Sequence, residues 1–108
     1  MAHRELIEHE LTAAEAASKI GNDGKARVCA RRAVALASEA WLEQHSFQTG
    51  RLDAMGHLRR IHGDESAPSS IRQAAERLTT TVTRRDSAPF TSDPIGDARI
   101  IIEYLTAP

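Results

Sequence analysis

One cysteine, four aromatic residues and two lysines among 108 positions are the scarcities that shape this sequence. A lone Cys29 excludes an internal disulfide framework and any multi-cysteine zinc site. It falls on a predicted helix face among alanines and reads as a small buried hydrophobe. With so few aromatics, and with eighteen alanines among the apolar residues, each buried position contributes little area. A stable core then requires close helix approach, or apolar area borrowed from a second copy of the chain, so a homodimer is expected. Neither sign of charge dominates: 14 basic residues face 15 acidic ones. That balance gives no bulk drive toward nucleic acid, a membrane surface or an acidic partner, and leaves only local patches for such roles. Twelve of the basic residues are arginine, which a GC-rich coding bias explains as readily as phosphate binding. No continuous apolar run approaches membrane-spanning length and the first residues lack a signal-type apolar stretch, so a cytoplasmic protein with no membrane contact is expected.

What is present is helical periodicity. From His3 to Ile20, Leu6, Ile7, Ala13, Ala14, Ala17 and Ile20 recur at spacings of three and four, and Gly21 follows as a C-cap. Asn22 and Asp23 can accept the free amides of a second helix, Gly24 to His45, whose Ala26, Cys29, Ala30, Ala33, Leu36, Ala37, Ala40 and Trp41 form one stripe of mostly small side chains. A third helix, Thr49 to His62, places Ala54, Met55, Leu58 and Ile61 on one side and stops at Gly63. After a loop with Pro68 and capping serines, a fourth helix from Ile71 to Thr83 carries Ile71, Ala74, Ala75, Leu78 and Val82. Asp93-Pro94 starts the last helix, which runs to Leu105. Ile95, Ala98, Ile101, Ile102 and Leu105 form one face of it, while Ile100 and Tyr104 project from another. An element apolar on two sides is buried on both, either sandwiched in the fold or shared with a partner subunit; the partner is the favoured reading, which makes Ile100 and Tyr104 the expected dimer interface. No stretch alternates with period two. The expected fold is all-α: one domain over residues 1–108, an up-and-down helical bundle of four main helices plus a short C-terminal helix.

Chemistry-bearing motifs are sparse. Five histidines are scattered without metal-ligand spacing and read as surface residues; no metal site and no cofactor is expected. The Gly21-Asn22-Asp23-Gly24-Lys25 turn joins two helices, unlike a phosphate loop, which joins a strand to a helix. Its Lys25 and Arg27, with Arg31 one turn later, mark the expected anion- or partner-binding patch. Arg27 and Arg31 repel one another unless something acidic answers them, either a carboxylate from a neighbouring helix or a phosphate, which arginine's planar fork suits. Ser38 and Glu39 are read on the shoulders and back of the same helix. No nucleophile elbow, zinc-protease helix or paired carboxylates in an apolar setting occur, so no catalytic residue is assigned.

The run Gly21-Asn22-Asp23-Gly24-Lys25-Ala26-Arg27-Val28-Cys29-Ala30-Arg31-Arg32-Ala33-Val34 resembles the Ala- and Arg-rich second segment of small bacterial HEPN-like helical proteins. Ala67-Pro68 to Leu78 and the closing Asp93-Pro94-Ile95-Gly96-Asp97-Ala98-Arg99 are similar to later parts of such chains, and together the three stretches cover about half the sequence. The resemblance implies a helical bundle, commonly dimeric, in a group with many ribonucleases and toxin halves of toxin-antitoxin pairs. Catalytic members carry Arg, four to six residues, then His, near the start of the last bundle helix. Arg51 to His57 and Arg4 to His9 meet only the bare spacing, both lie outside that helix, and the fourth helix holds no histidine. The resemblance therefore implies a non-catalytic member.

The leading expectation is a non-enzymatic homodimer that acts as a binding module. A ribonuclease using Arg51 and His57 across a dimer is the enzymatic alternative. A scaffold holding a small molecule between its helices is the third.

Overall fold

The computed structural model describes residues 3–45, 52–81 and 89–107, and within them five helices and no strand. They are α1 (His3–Lys19), α2 (Asp23–Gln44), α3 (Ala54–His62), α4 (Ser69–Thr79) and α5 (Pro94–Thr106). At 13 residues α5 is longer than α3 or α4, so it is not the short appendage that the sequence suggested.

The α1 to α2 connection follows from Gly21. Its φ of 77° is a left-handed conformation that glycine adopts without steric cost. The Gly21 amide then donates to the Ser18 carbonyl and the Asn22 amide to the Ala17 carbonyl, which satisfies two orphan carbonyls of α1. Asn22 turns the chain straight into α2 by accepting the Lys25 amide on Oδ1 at 3.1 Å. Ile20 lies beyond the last turn of α1 and is 80% exposed, contrary to its expected place in the core. Leu11 joins Ile7, Ala14 and Ala17 on the buried face instead.

Helix α2 is the hub. Ala30, Ala33 and Ala37 are buried on it, and the small side chains let α1 approach on one flank and α5 on another. The core continues through Leu58 and Ile61 of α3, Ile71, Ala74, Ala75 and Leu78 of α4, and Ala98, Ile101, Ile102 and Leu105 of α5. Ile95, expected on that apolar face, is only half-buried.

Two expected boundaries move. Helix α3 starts at Ala54, not Thr49, because Asp53 Oδ1 accepts the Gly56 amide at 2.7 Å and caps the helix there; residues 46–51 lie outside the described residues. Helix α4 starts at Ser69 on the carbonyl of Pro68, with no serine acting as cap, and ends at Thr79. The threonine run explains that end: the hydroxyls of Thr79 and Thr80 both donate to the Glu76 carbonyl, and Thr80 is already extended. Val82 and Thr83 lie outside the described residues.

Two ion pairs tie α5 to its neighbours. Arg77 of α4 grips Asp97, a carboxylate buried at the start of α5, and Arg99 pairs with Glu15 of α1 on the surface. Asp93 caps α5 by accepting the Gly96 amide on Oδ1 at 3.0 Å, with Pro94 in the first turn as the sequence indicates.

Candidate binding site

The expected anion patch separates into three different fates. Lys25 is exposed at the start of α2. Arg27 donates through Nη1 to the Thr91 carbonyl at 2.8 Å and stacks 4.1 Å from the centre of the Phe90 ring. Arg31 donates through Nε to the Leu78 carbonyl at 2.8 Å. Leu78 lies in the last turn of α4, where carbonyls lack helical partners, so Arg31 is a tertiary cap on that helix. Burial, and then the adjacent Arg27, lower the Arg31 pKa from the ordinary arginine value. The two arginines are thus answered by backbone carbonyls and a ring, where the sequence suggested a carboxylate or a phosphate. They fasten the end of α4 and the approach to α5 onto α2.

A second cluster was invisible in the sequence. Ser38, read as a shoulder residue, is fully buried, and His57, read as a surface histidine, is 2% exposed. His57 Nδ1 lies 2.9 Å from Ser38 Oγ, which also accepts from Arg60 Nη2 at 2.9 Å. A guanidinium only donates, so Ser38 Oγ accepts from Arg60 and still has a lone pair and its own hydrogen to offer the imidazole. On the other side of the ring, His57 Nε2 faces Glu39 Oε1 at 3.6 Å, beyond hydrogen-bond reach. Burial is the main influence on His57 and pushes its pKa down, against the upward pull of Glu39. A serine, a histidine and a carboxylate in line have the composition of a nucleophilic triad, but Ser38 has no exposed surface for a substrate to reach. The cluster brackets α3 against α2. Arg51, the other half of the sequence-level Arg and His pair, lies outside the described residues. Arg4 and His9, the second such pair, both sit exposed on α1.

An open site does exist, and its geometry follows from helix direction. α1 runs antiparallel to α2, with His3 Nε2 4.0 Å from Glu43 Oε2, and antiparallel to α5, with Glu15 beside Arg99. Both flanking helices rest on α2 but scarcely touch each other, and a groove of about 460 Å³ remains between them. Its floor is Ile7, Leu11, Ala40 and Ile102. Arg4 and Glu8 stand on the α1 wall, and Glu103 on the α5 wall. Arg4, Glu8 and Glu103 form no ion pair or side-chain hydrogen bond among the described residues. The Arg99 and Glu15 pair closes one end.

Helix polarity sets the field at the other end. The start of α1 brings a partial positive charge there, and the ends of α2 and α5 bring partial negative charges. Neither last turn holds a basic residue to offset this. Each carries a carboxylate instead, Glu43 and Glu103.

Of the expected dimer residues, Ile100 is 43% and Tyr104 39% exposed, one turn apart on the outer side of α5. No group of three or more His, Cys, Asp or Glu side chains among the described residues is arranged to hold a metal ion, and no described helix is long and apolar enough to cross a membrane. Scanned against protein-family models, curated proteins and solved structures, the chain matches none.

Proposed function

We propose that this protein is a non-enzymatic binding module of the HEPN-like kind, an up-and-down bundle that works as a cytoplasmic homodimer through the outer face of α5. The observation that carries the reading is the pair Ile100 and Tyr104, large apolar side chains left two-fifths exposed, one turn apart, on a helix whose other apolar face is already buried. Exposed apolar area of that kind is stabilised by a partner.

The non-enzymatic part is supported by the occupations of the reactive groups. His57 is sealed behind Ser38, and Arg27 and Arg31 are spent on backbone carbonyls. The test is solution mass by light scattering for the native chain and for Ile100→Glu with Tyr104→Glu. The expected result is a dimer that becomes a folded monomer. A native monomer, or a dimer indifferent to both substitutions, overturns the reading.

A further inference from the structure

We propose that the groove between α1, α2 and α5 binds a small zwitterion with an apolar body, of dipeptide size, its carboxylate at Arg4 and its ammonium between Glu8 and Glu103. This goes beyond the dimer reading and uses different residues, so either can fail without the other.

Two observations converge on that class of ligand. The volume of about 460 Å³ falls in the usual range for small-molecule sites, roughly 300 to 1,000 Å³, and the floor of Ile7, Leu11, Ala40 and Ile102 supplies apolar contact. The uncommitted charges are of both signs, because Arg99 is neutralised by Glu15 while Arg4, Glu8 and Glu103 have no partner among the described residues. A plain organic cation would meet Arg4, and a fatty-acid-like anion would meet two carboxylates; a zwitterion satisfies both.

Spacing agrees with this assignment. Arg4 and Glu8 are one helical turn apart, about 5 to 6 Å between Cβ atoms. An extended dipeptide places its terminal charges at most about 7 Å apart. The ligand would lie along α1 with its side chains on the floor and its ammonium turned toward Glu103.

The experiment titrates the isotope-labelled full chain with L-leucyl-L-leucine and follows amide shifts by NMR. The expected shifts centre on Ile7, Leu11, Ala40 and Ile102. N-acetylation or C-terminal amidation of the dipeptide should weaken binding about tenfold each, the scale of one charge-assisted contact. Arg4→Gln should weaken the parent dipeptide but not its amide, and Glu103→Gln the parent but not its acetylated form. All of these side chains are exposed, and far-UV circular dichroism checks that the variants fold. Absent or scattered shifts, or capped peptides that bind as well as the parent, overturn the proposal. Binding that persists in Ile100→Glu separates it from the dimer interface.

Discussion

Arg77 holds Asp97 through both carboxylate oxygens, Nε to Oδ2 at 3.1 Å and Nη2 to Oδ1 at 2.7 Å, and so pins α4 to the first turn of α5. The fork geometry suits arginine and carboxylate, and Asp97 also gains from the amide end of its own helix. The hydrogen bond to the Asp97 carboxylate holds the Arg77 pKa above the ordinary arginine value, against the opposing effect of burial.

Removing that carboxylate strands a guanidinium that is two-thirds buried. Asp97→Ala should cost about 2 kcal/mol, between the surface and fully buried limits for ion pairs. Glu15→Ala, which breaks the exposed pair with Arg99, should cost at most about 1 kcal/mol. Urea unfolding of both variants checks the order, and equal costs would show that Asp97 has no special role.

The His57 bracket makes stability depend on pH. Burial holds its pKa below the ordinary value of 6.5, so the unfolded chain takes up a proton that the folded chain resists. Its contribution is fully present above pH 6.5 and is lost as pH falls below it toward the depressed folded value. Unfolding free energy measured between pH 7.5 and pH 5 should therefore fall, with a slope of at most about 1.4 kcal/mol per pH unit from this group. His57→Gln, which keeps hydrogen-bonding capacity without titrating, should lower stability at pH 7.5 and flatten that slope. An unchanged slope would assign the pH dependence to other groups.

Arg31 is predicted to act as a structural cap. Arg31→Met retains the buried stem but removes the bond to the Leu78 carbonyl, and should cost about 1 to 2 kcal/mol in denaturant unfolding. Inorganic phosphate should stabilise native and variant chains equally. Selective stabilisation of the native chain would return Arg31 to an anion-binding role.

Helix starts were legible where one side chain makes the cap, as at Asn22 and Asp93, because the signal lies within three residues. Boundaries failed where local chemistry competed. Asp53 captured the start of α3, and the Thr79 and Thr80 hydroxyls closed α4 early. Ser38 and His57 were misread for a related reason. A stripe of alanines hardly distinguishes the inner face of α2 from its shoulders, and His57, beside Leu58 and one turn before Ile61, lies on the buried side of α3. Arg77 and Asp97 are 20 residues apart, and no local pattern couples them. The groove had no sequence signal at all, since it exists only because α1 and α5 splay across α2.

The alanine seam between α1 and α2 has a consequence for sliding. Ala14 and Ala17 of α1 and Ala26, Ala30 and Ala33 of α2 are all buried small side chains on two packed helices, so the seam fixes how far apart the helices lie better than how far one is shifted along the other. Register must then be set at the ends, and at the connected end it rests on Gly21, the one glycine among the described residues with positive φ. A side chain at that position would push the turn toward another conformation, and a displaced turn moves Arg4 and Glu8 along the groove relative to Glu103. The glycine at one tip of the molecule thereby acts as the ruler for charge spacing more than three helical turns away.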